Sequence, residues 1–144
     1  MTVKRIIAIL LFAVLTVTLC ACAVTEESGY EHTFSEISKS EKVNVYTYKD
    51  EGTLEIDKTE ELSEKLSGNW EAVSNYKEGK KVLTISLGEH HEVTFFDNGT
   101  AVIYYGFATI LEKDRCYYNV TLDSGLDDLY NWCVENGTSQ ADEQ

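Results

Sequence analysis

Glu89-His90-His91-Glu92 sets two histidines between two carboxylates, the residue types that ligate zinc. A metal-dependent hydrolase built on His90 or His91 would begin here. In an extended strand, however, consecutive side chains point to opposite faces, so the two imidazoles share one ion only if a tight turn redirects them. The plainer reading is a polar hairpin turn, and the helical His-Glu-x-x-His zinc motif is absent. Asp123-Ser124-Gly125-Leu126-Asp127-Asp128 offers acids for calcium, without the spacing or terminal glutamate of an EF-hand loop. Acids that open a helix are explained more simply by its dipole. No serine or cysteine has a histidine with its own orienting acid at a meaningful spacing, and no glycine-rich phosphate loop is present. The residues therefore read as those of a protein that is not an enzyme and uses no cofactor or metal. The His90/His91 hydrolase stands as the alternative.

Two other sets of residues invite function. Tyr46, Tyr48, Tyr104, Tyr105, Tyr117 and Trp132 are candidates for a stacking platform that meets a glycan or a protein. Aromatic residues also fill half-buried sheet faces, so only an exposed, contiguous arrangement would favour binding. Cys116 and Cys133 are candidates for a disulfide. Cys133 closes the apolar stripe of the last helix and Cys116 shares a strand face with Tyr118 and Val120, so a bridge between them would staple helix to sheet. Two buried thiols acting as small hydrophobes are the other reading.

The chain has 144 residues and a formal net charge of -13. Its length suits one domain, and the acidic balance argues against nucleic acid, which needs a cationic face. Lys4 and Arg5 precede an uncharged apolar run, Ile6 to Leu19, a layout within the range of secretory leaders. The run ends Leu19-Cys20-Ala21-Cys22. This resembles the lipobox of bacterial lipoproteins, with Leu at the third position before the cysteine and a small residue just before it. The resemblance covers Met1 to Cys22. It implies that Cys22 takes a diacylglyceryl group and becomes the new N-terminus, leaving the protein on the extracytoplasmic face of the cell membrane. Soluble secretion after Ala21-Cys22-Ala23 and an uncleaved anchor are the competing readings. Cleavage removes Lys4 and Arg5, so a net charge of -13 becomes more negative by two, and the domain is held by its acyl chains while its surface is repelled by anionic headgroups.

The elements that must position these residues follow from periodicity. Residues 23–41 show no sustained period and read as a flexible tether, unless Phe34 and Ile37 pack as an N-terminal flap. Val43 to Lys49 alternates as a strand, Asp50-Glu51-Gly52 turns, and Thr53 to Ile56 returns. Asp57-Lys58-Thr59-Glu60 has the form of a capping box ahead of a helix carrying Leu62 and Leu66, with a stop at Gly68. Strands follow over Val82–Leu87, His91–Phe96, Thr100–Tyr105, Phe107–Glu112 and Arg115–Leu122, with Asp97-Asn98-Gly99 as a type I′ hairpin signal. Ser124 caps a last helix with Leu126, Leu129, Tyr130 and Cys133 on one stripe. The fold class is thus α+β: a mostly antiparallel sheet of about six or seven strands, one early helix and one C-terminal helix. The organisation is a leader over 1–22, a tether over 23–41, one domain over 42–138 and a disordered tail over 139–144.

Two further resemblances complete the reading. Leu66-Ser67-Gly68-Asn69-Trp70 resembles the Gly-x-Trp opening of lipocalin-like chains, although a closed barrel needs eight strands beyond that point and about five are legible. The whole layout, from lipobox through acidic tether, hairpin, capped helix and meander to the final helix, is similar to small lipoproteins of Firmicutes. That likeness implies no activity. The expected function is a lipid-anchored, non-enzymatic binding module of the cell envelope. Its partners are the bilayer, through the acylated N-terminus, and a protein or cell-wall glycan. An envelope hydrolase using His90 or His91 is the alternative.

Overall fold

Strict alternation makes the sheet. In the computed structural model, which describes residues 29–88, 91–105 and 115–140, β1 (Val43–Thr47) buries Val43, Val45 and Thr47 and leaves Asn44 and Tyr46 on the opposite side. It is joined by β2 (Gly52–Ile56), β4 (Lys81–Gly88), β5 (His91–Phe96), β6 (Thr100–Tyr105) and β7 (Arg115–Leu122). With β3 (Gly68–Ala72) and β8 (Thr138–Ser139) they form one 8-stranded sheet in the order β3-β7-β6-β5-β4-β1-β2-β8, with every pair antiparallel. The α+β class holds, with more strands than the sequence suggests. Among the described residues β3 and β8 do not pair, so the sheet is not closed into a lipocalin-like barrel. The strand read at Phe107–Glu112 lies outside the described residues.

The helices cover one face. Val45, Leu83, Ile85, Val93 and Ile103 are fully buried there beneath α1 (Gly29–Lys39), α2 (Thr59–Lys65) and α3 (Leu126–Asn136). Trp70 anchors one end of this core. Its indole Nε1 donates to the Leu66 carbonyl at 3.0 Å, and its ring meets Phe34 at 5.1 Å, Tyr118 at 5.6 Å, Phe95 at 5.7 Å and Tyr30 at 5.9 Å. Offset and edge-to-face contacts of this kind add to the area they bury.

Several local expectations are corrected. The tether read over 23–41 is helical from Gly29 to Lys39, with Thr33 and Ile37 fully buried and Tyr30 and Phe34 packed on the core. An apolar residue on each turn of one face had been hidden among Ser, Thr and Glu. The Asp57 capping box does not form. Lys58 occupies the N-cap without a side-chain bond, and the Thr59 hydroxyl donates to the Ser40 carbonyl at 2.7 Å, joining α2 to the end of α1. Ser124 does not cap α3 either, because Gly125 takes that position at φ 89°. Gly68 is not a helix terminator: it pairs with Leu122, and a Cβ there would lie 2.2 Å from the Thr121 carbonyl oxygen. Only glycine lets β3 approach β7 so closely.

The β5–β6 turn is not type I′, which needs positive φ at two residues. Only Gly99 is left-handed, at φ 80°, while the Asn98 Oδ1 accepts from the Thr100 hydroxyl at 2.6 Å. The tail read as disordered from 139 begins in structure. Thr138 and Ser139 pair with β2, and the Gln140 amide donates to Asn44 Oδ1 at 2.9 Å.

Candidate functional site

The face that the helices leave uncovered carries four of the six aromatic candidates, Tyr46, Tyr48, Tyr104 and Tyr117. Pairing across β1, β4, β5, β6 and β7 aligns two rows on it: Asn44, Ser86, Glu92, Tyr104 and Arg115 in one, Tyr46, Thr84, Thr94, Val102 and Tyr117 in the next. Tyr48 continues the β1 side, and its phenol and the Thr84 hydroxyl are 3.0 Å apart. Thr84 in turn lies 2.8 Å from the Thr94 hydroxyl. Both threonines are buried, so this chain of hydroxyls satisfies polar groups that would otherwise be costly to bury.

Charged groups frame the rings. Lys81 Nζ lies 5.6 Å from the Tyr48 ring centroid and the Arg115 guanidinium 5.5 Å from that of Tyr104, both within reach of a cation–π attraction. Two ion pairs link described residues, Lys42 with Glu55 at 3.3 Å and Lys65 with Asp128 at 2.9 Å. Neither involves Glu78, Lys81, Glu92 or Arg115.

From the β3–β4 connection Tyr76 folds back over this face, its ring 4.2 Å from Tyr117 and 5.8 Å from Phe96. The connection is held by Asn98, whose amide donates to the Lys77 carbonyl at 2.8 Å, and by Asp97, which accepts from the Lys80 N–H at 2.9 Å. The Tyr76 hydroxyl is buried and has no hydrogen-bond partner among the described residues. Burial raises its pKa; Thr100 lies near enough to oppose this, though not in bonding geometry. Beside Tyr76 a cleft of about 270 Å³ runs over Phe96, Tyr104 and Tyr117 between the four charged residues. A second cleft of about 560 Å³ lies past Lys81, against Tyr48, Lys49, Lys80 and the start of α3. Lys81 borders both.

The structure thus brings together Tyr46, Tyr48, Tyr104 and Tyr117 of the aromatic set. It separates Trp132, which sits on α3 and packs against the core. Tyr105 lies in β6, opposite His91, and its side chain is outside the described residues. Tyr76 and Phe96 were missed. Phe96 was legible as the residue two beyond Thr94 on an alternating strand, whereas Tyr76 sits in a connection with no period to signal it.

His91 has a structural partner. Its Nε2 lies 2.9 Å from the Thr33 hydroxyl, and its ring stacks on His32 at 6.3 Å, so the histidine docks α1 on the end of β5. Burial lowers its pKa, the neighbouring His32 lowers it further, and Glu36 opposes both. His90 and Cys22 lie outside the described residues. Among the described residues no three His, Cys, Asp or Glu side chains gather as a metal site, and Asp128 of the calcium reading pairs with Lys65.

The expected Cys116–Cys133 bridge is not formed; both residues are thiols. The reason is topological. Cys116 lies on β7 and Cys133 on α3, which packs beside β2, five strand positions away at about 4.8 Å each. Burial pushes the Cys133 thiol up to about 12, so it behaves as a small hydrophobe.

No protein-family model, no curated protein and no solved structure matches the chain.

Proposed function

We propose that the protein is a lipid-anchored, extracytoplasmic binding module of the cell envelope, held through an acylated Cys22, and that its outer sheet face meets the partner. The observation that supports binding is the outer face itself. Tyrosine rings and charges of both signs line it, and no ion pair among the described residues joins those charges. Folding alone asks only that such a face be soluble. The leader and Leu19-Cys20-Ala21-Cys22 support the anchor. Stable retention needs more than one acyl chain, which diacylglyceryl transfer supplies.

The anchor is tested by metabolic lipid labelling. The native chain incorporates label and Cys22→Ser does not; label persisting on Cys22→Ser would remove Cys22 from the role. The binding face is tested with a photo-crosslinking residue at Asn119, exposed on the outer face of β7. Adducts in intact cells support the reading. Adducts from a control position on α3 but none from 119 would move the binding surface elsewhere.

A further inference from the structure

We infer that the outer face binds a neutral, linear glycan strand lying across the β-strands from Tyr48 to Tyr117. This inference rests on the binding-module reading and names its ligand. Three observations carry it. The first is the direction of the aromatic residues. Tyr46 on β1 and Tyr117 on β7 end one row that runs perpendicular to the strands, with Tyr48, just beyond β1, and Tyr104, on β6, one pair to either side of it. Four strand spacings separate the ends, about 19 Å, which suits an extended oligomer and exceeds a single sugar ring. Clefts of about 270 and 560 Å³ lie along this path and share Lys81 as their common wall.

The second observation is charge. Glu78 and Glu92 balance Lys81 and Arg115 around the smaller cleft. A polyanion would meet two carboxylates there, in a chain whose net charge is already -13. Sugar hydroxyls both donate and accept, so one neutral glycan satisfies carboxylates, ammonium and guanidinium alike. A protein partner would have to present a matching charge to each of the four, or leave charges buried and unpaired at a high cost.

The third is the shape of the exposed apolar surface. Tyr46 and Tyr48 are 39% and 40% exposed, Tyr104 and Tyr117 are half-buried among charged side chains, and Phe96 is buried against Tyr76. A protein-binding hot spot wants a dry, contiguous apolar centre, whereas a sugar ring needs one aromatic face and polar groups at its rim. Tyr76 now occupies the face of Tyr117, with its own hydroxyl orphaned. A sugar ring on Tyr117 would release that hydroxyl to water.

The test is a titration of the full chain with cellohexaose and with the hexamer of N-acetylglucosamine, followed by amide chemical shifts. The expected result is binding of at least one hexamer, with shifts centred on residues 76, 96, 104 and 117. Arg115→Ala and Tyr117→Ala should each weaken binding about tenfold or more, and Lys58→Ala, on the other side of the sheet, should not. Arg115 is exposed, so its variant remains informative if Tyr117→Ala unfolds. No shifts with either hexamer in the folded chain would overturn the glycan. If position 119 then crosslinks a protein in cells, the module survives with a protein as its ligand. If neither occurs, the module reading fails as well.

Discussion

On the helix-covered face β1, β4, β5 and β6 set Val45, Ile85, Val93 and Ile103 side by side, each at 0% exposure; on the outer face the same strands set Asn44, Ser86, Glu92 and Tyr104. The two rows are one residue apart in sequence. Burial fixes the first row, because a slip of one position would turn every apolar side chain to water. Nothing comparable fixes the second. Its side chains are polar, and Glu92 has no ion partner among the described residues. The contrast assigns stability to one face and leaves the other free for the recognition proposed above.

The contrast breaks most visibly at Trp70. Trp70→Ala removes the ring shared by Tyr30, Phe34, Phe95 and Tyr118, and should cost about 3–5 kcal/mol, enough to unfold a marginal domain. Arg115→Ala, on the outer face, should stay within about 0.5 kcal/mol. Urea denaturation followed by circular dichroism measures both. Equal losses would mean that the outer face is structural too.

Next in size is the N-terminal helix. Ile37 is fully buried, so Ile37→Ala should cost about 2–5 kcal/mol. Cutting the chain at residue 41 should destabilise it at least as much. A flexible tether would predict no change in melting temperature for either. If both variants melt with the native chain, α1 does not belong to the core.

How much of this was legible follows from what each signal depends on. Alternation in Val43–Thr47 and His91–Phe96 is local, strong and sufficient to place strands and to sort Val93 and Phe95 to one face. Helix α1 was missed because GYEHTFSEISK is polar in composition, and its buried Thr33 and Ile37 acquire meaning only once Trp70 and His91 are seen beneath them. The same holds for Gly68, which ends a helix by local rules and is claimed by β7 through a contact far away in sequence. The disulfide failed for the converse reason: the faces of Cys116 and Cys133 were read correctly, but not the strand order, which alone shows that they lie over different parts of the sheet. Of the site, Tyr46, Tyr48, Tyr104 and Tyr117 were legible as alternating aromatics. Tyr76 arrives from an irregular connection pinned by Asn98, which no periodicity announces.

A smaller effect comes from pH at the junction of α1 and the sheet. His91 is held neutral by burial and by His32, so its folded pKa is lowered from 6.5. The unfolded chain then binds the proton more readily than the folded one. The contribution of neutral His91 is complete above 6.5 and drains away as pH falls through the lowered value. His32 and Glu36 from α1 face it, and Glu36 limits the loss. Acid also relieves repulsion among 25 acidic residues, so the readout is a difference. Between about pH 7.5 and about pH 5 the native chain should lose more stability than His91→Gln. Identical pH profiles would show that His91 does not couple α1 to the sheet.

The finest test of the two-face comparison is Tyr76→Phe, because it asks whether the outer face carries a strain that the core does not. Tyr76 keeps its ring on Tyr117 and Phe96, so packing is retained when the oxygen is removed. What is lost is a buried hydroxyl without a hydrogen bond, whose desolvation is unrewarded in the folded state. Every fully buried core residue exchanged for a smaller one destabilises; this one should leave stability unchanged or raise it by up to about 1 kcal/mol. Thr100 is the neighbour that decides the sign. If Tyr76→Phe loses about 1 kcal/mol or more in urea denaturation, the hydroxyl is bonded to Thr100 in solution. Tyr76 would then be a fixed wall of the cleft. A gain, with Thr100→Val neutral, would mark Tyr76 as the side chain that gives way when a ligand takes its place on Tyr117.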